Sequence, residues 1–365
     1  MRIHYRETEE GIEIVRCFGA DGNIELPGQI QGRPVTRAAA YAFSARKAQE
    51  DEEVLVCETD EGRIFRQQEQ LLAGDIVESV RFPDTMREIG KYIFYGCRNL
   101  KGLTFSDSLT EIGSGAFTGC RSLNRLDVRF LNGRRSCVPD ILGDLWQRID
   151  AAFYEAPGGS REAGDGGSRE AGDGGSREAG DGGSREAGDG GRREAGGNDC
   201  LEKRAELVFP EHYEEAVENT PARILFTQHH GSGNNYRQCF YNKEMDYRKY
   251  DDLFFVAKAQ DKVSVLADLI FGRLLYPAGL ARAAEESYEA YVREHGGQIA
   301  EYLTDTGRME ALREMSRREL WTKEALDAAV DHAAAHQTAG RGESLSFLMN
   351  ERHRLFPVRK GKYEL

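Results

Sequence analysis

No stretch of this 365-residue sequence is apolar for the roughly 20 residues that a membrane-spanning helix needs. The chain starts without a basic segment followed by an apolar one, so no export signal is expected. Its seven cysteines are an odd number, scattered from Cys17 to Cys239, which is not the framework of a disulfide-stapled secreted domain. Both absences point to a reducing cytoplasm. Positive charge is short as well: 49 lysines and arginines face 62 acidic residues, for a net charge of −13. That balance argues against nucleic acid as a partner and mostly serves solubility. There is no G-x-x-x-x-G-K-[ST] phosphate loop, no G-x-S-x-G elbow and no CxxC pair. The sequence therefore calls for no cofactor and no metal, and for neither membrane nor nucleic acid as partner.

What is there is repetition. Val80 to Lys101 reads VRFPDTMREIGKYIFYGCRNLK, and Leu103 to Asn124 reads LTFSDSLTEIGSGAFTGCRSLN. Phe82 maps to Phe105, Ile89 to Ile112, Gly90 to Gly113, Phe94 to Phe117, Cys97 to Cys120 and Leu100 to Leu123, a period of 23 residues. A fixed period of this size means one supersecondary unit stacked on copies of itself. A degraded copy precedes the pair, starting at Leu26-Pro27 and ending at Tyr41-Ala42-Phe43, with Ala38 where the others have isoleucine. Residues 49–78 read as one more degenerate or expanded unit, with a strand at Val54–Cys57 and a short helix at Phe65–Leu72.

These units resemble the leucine-rich repeats of the bacterial BspA-like family, whose copies read P-x-x-[VLM]-x-x-I-G and then A-F-x-x-C-x-x-L. Pro83, Met86, Ile89, Gly90, Phe94, Cys97 and Leu100 carry the resemblance in one copy. Leu109, Ile112, Gly113, Ala116, Phe117, Cys120 and Leu123 carry it in the next. The likeness covers the first third of the chain. It implies a solenoid of parallel strands and short helices. Many such proteins are exported or surface-attached, which the start of this chain does not suggest.

Each unit opens with alternation. Val80 and Phe82, Leu103 and Phe105, and Leu126 and Val128 point inward; the residues between them point outward. Stacked in parallel, the strands should expose a ribbon carrying Ser79, Arg81, Thr104, Arg125 and Asp127, with Gly102 among them. Such a row suits a protein surface better than a phosphate backbone. Ile12–Cys17 looks like the first strand of an N-terminal cap. Cys97 and Cys120 read as a ladder of buried thiols rather than a disulfide or metal pair.

Beyond the repeats, Ile141, Leu142, Leu145, Ile149 and Phe153 have helical spacing, which predicts a helix over Pro139–Tyr154 closing the solenoid. Then GGSREAGD recurs four times from Gly158 to Asp189, followed by GGRREAGG to Gly197. With no apolar residue larger than alanine, this tract cannot form a core and is expected to be a disordered insert. Strands are expected at Ala205–Phe209 and Ala222–Phe226, with a helix over Glu211–Glu218 between them. From Asp252 on the pattern is helical. Glu310–Met315 recurs as Glu343–Leu348, an offset of 33 residues, which is the ankyrin period. An ankyrin-like array and a generic helical bundle both satisfy that pattern. His332 and His336, four apart, read as surface histidines, since no third ligand is apparent.

One loop gathers chemistry-bearing residues. Gln228 to Cys239 holds His229, His230, a Gly-Ser-Gly turn, Arg237 and Cys239. Cysteine with histidine can make a nucleophile, and the turn with Arg237 can cradle an anion. A polar structural loop beside a buried cysteine explains the same residues.

The sequence thus reads as an α/β solenoid over 1–154, an insert over 155–200, a small α+β segment over 201–251 and a mostly α-helical, ankyrin-like domain over 252–365. The function it supports is a cytoplasmic, non-catalytic scaffold that binds a protein partner on the strand ribbon. The competing readings are a surface or secreted adhesin, and an enzyme or ligand site at the His229–Cys239 loop.

Overall fold

A computed structural model of the chain describes residues 1–46, 54–59, 69–157, 201–219, 224–336 and 342–357. The GGSREAGD tract lies outside them, so the expected disorder of the insert does too.

Six strands form one sheet in the order Asn23–Glu25, Ser79–Arg81, Gly102–Ser106, Arg125–Phe130, Ile149–Glu155 and Glu202–Phe209. The first five run parallel, as stacked copies of one unit must; the sixth is antiparallel. Val80, Phe82, Leu103, Phe105, Leu126 and Val128 all face inward and are buried. Phe94 stacks between Phe43 and Phe117 at 5.5 and 5.8 Å, so the degraded first copy sits in the same register as the clean pair. Ala38 pairs with Ile89 as the alignment implied. The Cys97 thiol donates to the Phe43 carbonyl and the Cys120 thiol to the Phe94 carbonyl, each reaching one turn back. Burial raises both thiol pKa values, that of Cys97 to about 12, so neither ionises readily.

Gly90 and Gly113 owe their place to close approach, not to a tight turn. A Cβ on Gly113 would lie 2.2 Å from the Lys91 nitrogen, and one on Gly90 would lie 2.3 Å from the Ala40 nitrogen. Successive coils touch backbone to backbone there, and the Gly113 amide donates to the Ile89 carbonyl at 2.8 Å.

The N-terminal cap is a hairpin of Arg2–Thr8 and Gly11–Gly19, which continues into a second sheet with Arg33–Ala38, Glu88–Ile89 and Glu111–Ile112. The described parts of the 49–78 segment, residues 54–59 and 69–78, do not form a further coil. Asn23–Glu25, the strand of the degraded first copy, pairs directly with Ser79–Arg81, so no further strand of this ladder comes from the segment after that copy. Its strands Leu55–Glu58 and Gln70–Leu71 pair with the N-terminal hairpin instead.

Two helices expected from spacing are strands. Only Val138–Gly143 (α1) is helical in the first. Ile149–Glu155 extends the ladder, with Leu126 opposite Ala151 and Val128 opposite Phe153, because the edge left by Arg125–Phe130 needs partners for its amides. The segment over Glu211–Glu218 contributes Tyr213–Asn219, which pairs antiparallel with Ile224–His230 in a separate hairpin. Residues 202–209, expected in the small segment after the insert, are the last strand of the main sheet.

The remaining helices are α2 (Gly233–Tyr236), α3 (Tyr247–Asp252), α4 (Phe254–Gln260), α5 (Val263–Leu275), α6 (Arg282–Asp305), α7 (Met309–Arg317), α8 (Lys323–Ala335) and α9 (Gly342–Leu355). The last three occupy the segment with the 33-residue offset. The sheet's open edge, which would otherwise invite pairing with another chain, is covered by α3 and α5. At Gly272 of α5 a Cβ would come within 2.5 Å of the Glu206 carbonyl oxygen, so the helix lies against the last strand. The Tyr250 hydroxyl of α3 accepts from the Val208 amide at 3.0 Å and donates to the Val208 carbonyl at 2.7 Å. Ion pairs complete the seam: Asp268 of α5 meets Arg148 and Arg308, and Arg308 also meets Glu206. Tyr250→Phe strips a buried edge of both partners and should cost about 2–3 kcal/mol in chemical denaturation. A neutral result would show that water reaches that edge.

Candidate functional site

The outward residues of the main sheet fall into rows. The first is Glu25, Arg81, Thr104 and Asp127, in lateral register. The second is Asn23, Ser79, Gly102 and Arg125. All five expected ribbon residues, Ser79, Arg81, Thr104, Arg125 and Asp127, are therefore brought together on one partly exposed face. Neighbouring strands hold them about 4.8 Å apart, a spacing the backbone fixes whatever the side chains are.

Contacts within the rows differ in strength. Arg125 grips Asp127 through two bonds, 2.9 and 3.0 Å, and that hydrogen bonding raises the arginine's pKa. Asp127 also accepts from the Tyr154 hydroxyl at 3.2 Å. The Ser79 hydroxyl donates to the Asn23 side-chain carbonyl at 2.8 Å. Arg81 stands 3.8 Å from Glu25, too far for a hydrogen bond. A cavity of about 250 Å³ opens on this face, lined by Arg81, Thr104, Asp127, Arg129, Tyr154 and Leu201.

Sequence reasoning missed four of the site's residues. Asn23 and Glu25 extend the rows by one strand and follow once Ile24 is aligned with Val80. Arg129 and Tyr154 form the cavity's far wall. Arg129 is largely buried and reaches across to the Phe82 carbonyl at 3.0 Å and to Asp84 at 2.9 Å. Tyr154 was hidden by the helical spacing around it.

The loop from Gln228 to Cys239 is arranged for support. The Arg237 guanidinium donates to the carbonyls of Leu145, Gln147, Pro210 and Gly233. Four of its five N–H donors are thereby used in joining the solenoid's end to α2. Burial pulls its pKa down to about 10, still well above neutrality. Cys239 is fully buried and burial pushes its thiol up to about 12. His230 stacks on Tyr213 at 4.5 Å, and its Nε2 lies 3.3 Å from Glu215. It borders a cavity of about 550 Å³ with Arg148, Glu211, Asp261 and Lys262. The side chain of His229 lies outside the described residues. His332 pairs with Asp305 at 2.9 Å, and no group of three or more metal-capable side chains occurs among the described residues.

Residues 69–132 match the family described as BspA type leucine rich repeat region (6 copies). The repeat segment is of the BspA type. The match covers the two clean copies and the strand after them. Two solved structures also align. One is a leucine rich cell surface protein from Faecalibacterium prausnitzii, at 22% identity and a TM-score of 0.24, over 34% of this chain and 31% of that one. The other is the leucine rich repeat protein of T. pallidum, at 22% identity and a TM-score of 0.20, over 34% of this chain and 68% of that one. The chain thus spans about a third of the Faecalibacterium protein. No curated protein matches the chain. BspA-type repeats point to contact with other proteins, as a scaffold or in the manner of a surface adhesin. Among the described residues no helix is long and apolar enough to cross a membrane.

Proposed function

We propose that this chain is a non-catalytic, cytoplasmic scaffold that docks a protein partner on the exposed ribbon of its BspA-type repeats. The register of Glu25, Arg81, Thr104 and Asp127 in one solvent-facing row carries this reading. A stacked frame presents side chains at fixed spacing, so a partner meets a preorganised surface and little entropy is lost on its side of the contact. The helices at the sheet's far end leave this face open while sealing the edge. In the 228–239 loop, Arg237 and Cys239 spend their polar atoms on the protein itself, which favours the ribbon over the loop.

The test uses Arg81→Glu with Thr104→Arg, because Asp127 is already committed to Arg125 and Tyr154. Tagged full-length chain, wild type and variant, is used for capture from the native cell, alongside fractionation of that cell. The double variant should keep its thermal midpoint and lose the captured partner, while Cys239→Ser keeps it. Capture that survives the ribbon changes but fails with Cys239→Ser would move the function to the loop.

A further inference from the structure

We propose that the ribbon's cavity takes a carboxylate: an aspartate or glutamate side chain of the partner enters between Arg81, Thr104 and Tyr154. This rests on the ribbon being the docking face and adds what kind of residue it reads. At about 250 Å³ the cavity has room for one side chain and not for a separate small-molecule ligand of drug size.

The charges around it are unequally satisfied. Asp127 is compensated by the two bonds from Arg125 and the one from Tyr154. Arg129 is held by Asp84 and the Phe82 carbonyl. Arg81 is different. Among the described residues its only charged contact is Glu25 at 3.8 Å, and Glu25 is 75% exposed, so the pair contributes little and is easily displaced. The Thr104 hydroxyl beside it makes no hydrogen bond among the described residues. A carboxylate can accept two parallel bonds from the Arg81 fork and a third from Thr104. The Tyr154 ring and Leu201 then flank the methylene stem.

Other anchors fit worse. A lysine or arginine would meet Arg81 and Arg129 at close range. An apolar side chain would cover the Arg81 guanidinium and the Thr104 hydroxyl without giving either a partner, which costs more than it gains. A neutral amide would accept from Arg81 but bring its own donors against the same cation.

The experiment selects peptides from a random twelve-residue display library on the immobilised full-length chain, then measures affinities of the winners in solution. The expected winners share an aspartate or glutamate at one position. Arg81→Gln and the peptide's Glu→Gln should each weaken binding roughly tenfold or more, with little further loss when combined. The thermal midpoint of Arg81→Gln should be unchanged, since Arg81 is not buried. Winners that lose affinity with Thr104→Arg yet carry no acidic position would overturn the carboxylate and leave the ribbon standing. Winners blind to every ribbon substitution would overturn the ribbon reading and this inference with it. Acidic winners that bind only after deletion of residues 158–197 would show the chain's own Glu and Asp tract filling the cavity, which also overturns a partner's carboxylate there. An empty selection counts against it as well.

Discussion

Gly113→Ala should destabilise the protein by about 3 kcal/mol or more in chemical denaturation, although it adds a single methyl group. The reason is where that methyl would go. It would sit 2.2 Å from the Lys91 nitrogen and 2.4 Å from the Gly90 carbonyl carbon, both backbone atoms of the preceding coil. No rotamer relieves a clash with backbone, so the coils must part. Parting them stretches the Gly113 to Ile89 hydrogen bond and unstacks Phe117 from Phe94. Gly133→Ala is the control, since a Cβ there meets nothing within 4 Å. If both substitutions cost the same small amount, the backbone contact between coils is absent and the stacking register is wrong.

Asp251→Ala should cost about 3–5 kcal/mol, because it leaves a buried guanidinium without its counter-ion. Arg273 on α5 is fully buried and donates two bonds to the Asp251 carboxylate, at 2.8 and 2.9 Å. The Tyr288 hydroxyl of α6 donates to the same carboxylate at 2.8 Å. One aspartate therefore ties α3, α5 and α6 together. Adding Arg273→Met to Asp251→Ala should recover at least half of the loss, since it removes the stranded charge and puts apolar volume in its place. Losses that simply add would mean that the two groups do not depend on each other.

The solenoid was legible because its chemistry repeats. Phe94 and Phe117, Cys97 and Cys120, Gly90 and Gly113 recur at 23 residues, and each pair stacks in the structure. The ribbon was legible for a related reason: alternation decides which side chains leave the core, and a parallel stack sets them in rows. The strand at Ile149–Glu155 was not. Its partner residues stand 25 apart, Leu126 against Ala151, rather than 23, and Ile141, Leu145, Ile149 and Phe153 happen to keep a four-residue spacing. Pairing with an open strand edge overrode that local pattern. The hairpin from Tyr213 to His230 was obscured by its run of glutamates. Of the site itself, Arg81, Thr104 and Asp127 could be read, but the wall of Arg129 and Tyr154 could not, because Tyr154 belongs to that unread strand and Arg129 lies beyond the part of its own strand that was read. Nor does anything in the sequence show that Asp251 and Arg273 find each other.

The measurement that bears most directly on the central claim is site-specific photo-crosslinking in the native cell. A photoreactive phenylalanine analogue is placed at Thr104, and separately at His230 and at Phe255, which is 69% exposed on α4. The account predicts one discrete protein adduct from position 104 that disappears when Arg81→Glu is added, and none from position 255. Adducts from position 230 with none from 104 would contradict it.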